Sequence, residues 1–205
     1  MRLIQTTQKA LEADPSAQGV WLHLRAQQQL AKTYEKLGRL THARATLQTI
    51  LDLIERYHVN PKTNLWGPSL VWGPLNQLGR LHIKSGDLGA AYEAFKLAMK
   101  VVQECKDPFG EVTVTANIAS LYLMNRSYKK AHQALKHAVD MARRRGQMKM
   151  LAKLKYNQGM LYMDIQNPDM AREAWQESEA LSHAMNWREG IAQVHHQLKR
   201  VEALS

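Results

Sequence analysis

The chain is poor in the residues that fix covalent or catalytic chemistry. It carries a single cysteine, Cys105, in 205 residues. No intrachain disulfide can form, which fits a reducing compartment. No apolar stretch approaches the ~20 residues that span a bilayer. Met1-Arg2-Leu3-Ile4-Gln5 lacks the apolar run of a signal peptide. The expectation is a protein of the cytoplasm with no membrane insertion. Phosphate-cradling glycine loops and paired catalytic carboxylates are missing, and Cys105 has no partners for a nucleophilic triad. The nine histidines show no metal-ligand spacing: His132 and His137 are five apart, and His195 and His196 point to different faces of a helix. These absences argue against an enzyme and against any cofactor or metal. Acidic residues are also few, 18 against 28 Lys and Arg, giving a net charge of +10. Such a balance favours acidic partners.

What the chain has is repetition. Asn117-Ile118-Ala119-Ser120-Leu121-Tyr122 recurs forty residues later as Asn157-Gln158-Gly159-Met160-Leu161-Tyr162. Small residues open each unit at Ala31, Gly79, Ala119 and Gly159, spaced 48, 40 and 40. A second small residue follows each at a constant offset of twelve: Ala43, Ala91, Ala131 and Ala171. Large apolar residues such as Phe95, Leu135 and Trp175 lie four further on. Small residues sit where two helices cross closely, with large residues packed beside them. Periods of this length mark helical hairpins stacked into a solenoid.

In chain order, a half-repeat helix occupies 1–15 and would stop at Pro15. Repeat 1 spans 16–57. A loop over 58–74 holds Trp66-Gly67-Pro68 and Trp72-Gly73-Pro74 and accounts for the eight extra residues, with Pro68 or Pro74 in the first turn of the next helix. Repeat 2 covers 75–106, with Asp87 as a helix N-cap. Asp107-Pro108-Phe109-Gly110 reads as a turn, and repeat 3 fills 107–145 with its first helix from Glu111. Repeat 4 covers 146–185. A last helix over 186–205 presents Trp187, Ile191, Val194, Leu198 and Val201 to cap the exposed core. No strand pattern occurs anywhere.

The pattern resembles the tetratricopeptide repeat. The pairs Ala31/Tyr34, Ala119/Tyr122 and Gly159/Tyr162 match the first helix of that family, and His82 departs from it. Ala91/Phe95/Ala98, Ala131/Leu135/Ala138 and Ala171/Trp175/Ser178 match the second helix. The forty-residue period is similar to the subclass found in kinesin light chains, spindle-orientation adaptors and bacterial peptide-sensing regulators. The resemblance implies one all-α domain, a right-handed superhelical solenoid with a capping helix. It implies non-catalytic scaffold or adaptor function, with a peptide or helix held in the concave groove.

Helical geometry nominates the groove residues. Each residue turns ~100°, so the position two before each small opener points away from the helix–helix contact. Those positions are Gln29, Gln77, Asn117 and Asn157, and one more forty-residue step gives Gln197. An amide offers donors and an acceptor to the backbone of an extended peptide. In the resembled family an Asn at this position binds ligand main chain. The alternative is that the amides are solvated or join neighbouring helices. Three and seven residues later lie Lys32 and Lys36, then Arg80 and Lys84, then Ser120 and Met124, then Met160 and Asp164. A groove lined in this way is basic toward its N-terminal half and apolar toward its C-terminal half. It suits a protein or peptide with acidic residues; the alternative is a solvated lysine face.

Residues 126–155 hold ten Lys or Arg against one acid, Asp140. A basic patch of Arg143, Arg144, Arg145 and Lys149 follows. The arginines also sit where cations offset a helix macrodipole. A nucleic-acid-binding solenoid is therefore the second reading. Self-assembly into a homo-oligomer through open repeat ends is the third. The paired Trp-Gly-Pro segments would either wall the groove mouth or cover a gap left by an irregular repeat.

Overall fold

The computed structural model describes residues 2–13, 17–62 and 67–202 of the chain. They form ten helices and no strand. In chain order these are α1 (Arg2–Ala13), α2 (Ala17–Lys36), α3 (Leu40–Arg56), α4 (Ser69–Lys84), α5 (Leu88–Glu104), α6 (Pro108–Met124), α7 (Tyr128–Arg144), α8 (Met148–Asp164), α9 (Pro168–Ala184) and α10 (Arg188–Glu202). Successive helices pack as antiparallel hairpins, α2 on α3, α4 on α5 and α8 on α9. The chain divides into two compact units, Met1–Glu111 and Val112–Ser205, with the boundary inside α6.

One corner is used eight times. After each of α2 to α9, the second residue beyond the helix adopts positive φ: Gly38, His58, Gly86, Lys106, Arg126, Gly146, Gln166 and Asn186. The next residue donates its N–H back into the last turn, as from Arg39 to Tyr34, Asp87 to His82 and Asn167 to Tyr162. This Schellman closure satisfies orphan carbonyls and turns the chain sharply. From Gly86 to Asn186 the corners fall every twenty residues, and two corners make the forty-residue repeat.

Inside each hairpin, the small residue and the large residue sixteen later are matched in size. Ala31 pairs with Leu47 and Ala119 with Leu135, all four fully buried. Where the opener is glycine, its partner is a ring. A Cβ on Gly79 would sit 2.5 Å from Phe95, and one on Gly159 would sit 2.3 Å from Trp175. Trp175 is 1% exposed and donates its indole N–H to the Tyr156 carbonyl at 3.1 Å. The glycine thus makes room for the ring and lets the helices approach closely.

Two expected boundaries are corrected. The loop expected over 58–74 ends earlier, because α4 starts at Ser69 and contains Trp72-Gly73-Pro74. Pro68 stands at the N-cap position and Pro74 in the second turn, where its missing N–H leaves one helical bond unmade. All the extra length lies between Arg56 and Ser69. Trp72 is buried, and its indole donates to Asp107 Oδ2 at 2.8 Å beside the Phe109 ring. It covers the corner between α5 and α6 rather than walling a groove. Trp66 and Pro15 lie outside the described residues. The turn expected at 107–110 is instead the start of α6. Asp107 Oδ1 accepts from the backbone N–H groups of Phe109 and Gly110, both at 3.0 Å, and Pro108 takes the first helical position.

Asp87 caps α5 by accepting from Ala90 N–H, and Asn167 caps α9 by accepting from Met170 N–H. In the last helix Val194 and Val201 are buried with Trp175 and Ala171, and Leu198 packs against them. That arrangement gives α10 the covering role expected of it within the second unit.

Candidate functional site

The expected binding residues lie on the first helices of the hairpins, and each unit treats them differently. In the first unit the stripe is charged. Gln77 is buried and donates to Glu35 Oε2 at 3.2 Å. Arg80 and Lys84 both reach Glu35 Oε1, at 3.0 and 2.6 Å. The Glu35 side chain is only 9% exposed. Burial pushes its carboxyl up, but the hydrogen bond from Lys84, the charges of Arg80 and Lys84, and the Gln77 amide outweigh burial and hold it below the ordinary value. Arg80 and Lys84 therefore share one internal carboxylate, which offsets one of their two charges. Gln29, Lys32 and Lys36 remain exposed on α2.

Glu35 was missed by the sequence reading. A signal was present: it is the sole acid in α2, opposite a helix that offers Gln77, Arg80 and Lys84 on one face and no acid of its own. A second missed group is His23, 3% exposed. Its ring nitrogens meet Thr7 Oγ1 at 3.0 Å and Gln27 Nε2 at 3.3 Å, and burial pushes its imidazole down. Cys105 is half-buried at the end of α5, where burial pushes its thiol up.

In the second unit the amides of the stripe donate to neutral partners. Asn157 donates to Ser120 Oγ at 3.1 Å, joining α8 to α6. Ser120 in turn donates to the Ala116 carbonyl. Gln197 is buried; it donates to the Tyr156 hydroxyl at 3.2 Å and accepts from Arg200. Asn117 is half-buried. Gln77, Asn157 and Gln197 thus join neighbouring helices. Asn157, half-buried, spends one amide hydrogen in this way, and its carbonyl oxygen meets no partner among the described residues. Met160 packs against the Trp175 cluster, whereas Met124 and Asp164 are exposed.

The expected basic patch divides. Lys149 stands 4.9 Å from the centre of the Trp187 ring, and Lys153 stands 5.6 Å from it. Both lie on α8 at four-residue steps from Asn157, hence on one face. Arg143 pairs with Glu177 at 3.0 Å, and Lys155 pairs with the same carboxylate at 2.6 Å. Arg144 and Arg145 are exposed at the end of α7. Among the described residues no three His, Cys, Asp or Glu side chains gather as a metal site, and no described helix is long and apolar enough to cross a membrane.

Models of the tetratricopeptide repeat match residues 24–57 and 73–144, together just over half of the chain. The chain belongs to the tetratricopeptide repeat family. Among solved structures, this TPR chain is similar to BtubC (BKLC) from P. vanneervenii, at 18% identity and a TM-score of 0.69, covering 99% of this chain and 88% of that one. It is similar to a STAND-class signal transduction ATPase with a TPR sensor from Pyrococcus horikoshii, at 12% identity and a TM-score of 0.71, covering 98% of this chain and 30% of that one. A putative kinesin light chain with TPR-like repeats from Podospora anserina follows, at 14% identity and a TM-score of 0.54, covering 88% and 95%. At these identities the likeness speaks for the fold. No curated protein matches the chain.

Proposed function

We propose that this TPR chain is a non-catalytic protein–protein interaction module. Its second unit takes a peptide or short helical segment along the exposed side of α6 and α8. The observation that carries the reading is Asn157. Its amide donates to Ser120, and its carbonyl oxygen, with no partner among the described residues, suits a main-chain N–H of a ligand. Lys153 and Lys149 continue the same face toward the Trp187 ring. A fixed amide, two cations and an aromatic plane suit a peptide carrying a carboxylate near an exposed backbone amide. In the first unit, Arg80 and Lys84 already pair with Glu35, so within the second unit selectivity for acidic ligands rests chiefly on Lys149 beside the Trp187 ring.

A displayed peptide library selected on the intact chain tests this. Enriched peptides should carry Asp or Glu. Their affinity should fall about tenfold, roughly 1.4 kcal/mol, in Asn157→Ala and again in Lys149→Glu/Lys153→Glu. Peptides that bind both variants as well as the wild type would remove the reading. The same assay with nuclease added excludes capture through nucleic acid.

A further inference from the structure

The outward face of α7 carries a second pattern that the groove does not use. Three basic pairs recur at seven-residue steps: Lys129-Lys130, Lys136-His137 and Arg143-Arg144. All six residues are exposed, while Ala131, Leu135, Ala138 and Ala142 hold the opposite side of the helix in the core. Seven residues advance a helix by ~10.5 Å and fall ~20° short of two full turns. The pairs therefore form two parallel ranks about 10.5 Å from step to step, drifting slowly around the axis. Lys129, Lys136 and Arg144 make no ion pair among the described residues. Arg143 shares Glu177 with Lys155, so that single carboxylate leaves the rank positive. Asp140 is exposed between the two ranks.

We infer that the solvent face of α7 docks an acidic helix whose carboxylates recur every seven residues, lying alongside it. Such a partner keeps step with both ranks, and a shared left-handed winding follows their drift. An extended peptide advances ~3.3 Å per residue, so ~10.5 Å is about three residues, and successive carboxylates would face opposite sides. Duplex DNA presents one charge per ~1.7 Å of axis with no matching period. It would also set only phosphates against Asp140, whereas a protein helix can meet Asp140 with a lysine. The face is separate from the α6–α8 site, because the inferred contacts lie wholly on α7.

The test is fluorescence anisotropy on the full chain at low ionic strength with three probes. These are a helical peptide with paired glutamates every seven residues, a shuffled peptide of the same composition and helicity, and a short DNA duplex. The regular peptide should bind at least about tenfold more tightly than the shuffled one, and Lys129→Glu/Lys136→Glu/Arg144→Glu should abolish that advantage. These side chains are exposed and make no ion pair among the described residues, so circular dichroism should show the variant folded. Asn157→Ala should leave the regular peptide's binding unchanged, which separates this face from the groove. Equal binding of the two peptides, tighter binding of the duplex, loss through Asn157→Ala, or no binding by the regular peptide would each overturn the inference.

Discussion

The two units fold the same hairpin and hold their first helices together with different chemistry. In the first, α2 and α4 are joined by a nearly buried carboxylate, Glu35, that accepts from Gln77, Arg80 and Lys84. In the second, α6, α8 and α10 are joined by neutral groups, Ser120 to Asn157 and Tyr156 to Gln197. The first unit also buries His23, a second titratable group, against Thr7 of α1. The second leans on a buried indole at Trp175. The difference teaches that the repeat fixes where polar residues meet but not which kind. The charged seam engages Gln77, Arg80 and Lys84 together, whereas the neutral one uses a single hydrogen of the Asn157 amide.

Packing in the second unit should give the largest effect. In an open helix Gly→Ala gains about 1 kcal/mol. At Gly159 the added Cβ meets Trp175 at 2.3 Å, and that ring is buried on every side. Gly159→Ala should therefore destabilise the chain by about 1–3 kcal/mol in denaturant unfolding. Combining it with Trp175→Leu recreates the Ala119–Leu135 pairing, and the double change should cost less than the two single changes together. Additive costs would show that size matching across the hairpin does not govern the close approach of α8 and α9.

Glu35→Gln should come next, with a loss of about 1–2 kcal/mol as charge-assisted bonds become neutral ones. The figure is discounted because Arg80 and Lys84 are nearly half exposed. The wild-type carboxyl lies below its ordinary value, so its contribution is fully present above the usual carboxylate range and is lost as pH falls through the lowered value. An acid titration of stability should show that loss in the wild type and a smaller one in Glu35→Gln. Parallel curves would mean that the seam contributes no net charge stabilisation.

His23 gives a smaller effect at milder pH. Its folded imidazole is lowered from 6.5 by burial, so the unfolded chain takes the proton first as pH drops. Stability should decline below about pH 6.5. Amide exchange in α1 and α2 should rise with it, and His23→Gln should flatten the dependence. Unchanged exchange across that range would dissociate His23 from the packing of α1 on α2.

Much of the fold was legible because spacing survives in one dimension. Openers at Ala31, Gly79, Ala119 and Gly159 locate every first helix from α2 to α8. The corners were only partly legible. Gly38, Gly86 and Gly146 announce positive φ, but His58, Lys106, Arg126, Gln166 and Asn186 adopt the same conformation without a glycine to signal it. The start of α4 was hidden because Trp72-Gly73-Pro74 reads as a loop, whereas Leu70, Val71 and Trp72 are buried there and the indole bonds to Asp107. At the candidate site, counting two residues back from the opener placed Gln77 and Asn157 on the side of α4 and α8 that meets the preceding first helix. It could not reveal which amides are spent on a neighbour, since that depends on a residue forty or so positions away: Glu35 for Gln77, Ser120 for Asn157 and Tyr156 for Gln197.

Ser120→Ala should have the smallest effect on stability and sharpens the contrast most. The lost bond joins a hydroxyl to a half-buried amide, both neutral, so the cost should be about 0.5–1 kcal/mol. No titratable group takes part in it, so that cost should not vary between acid and neutral pH, unlike the cost of Glu35→Gln. Its effect on binding separates two roles of Asn157. If the amide works because Ser120 holds it, Ser120→Ala should weaken a selected peptide measurably, though less than Asn157→Ala, since the carbonyl oxygen survives but must be ordered on binding. If Asn157 merely fastens α8 to α6, the two variants should weaken the peptide equally, because either one breaks the same bond.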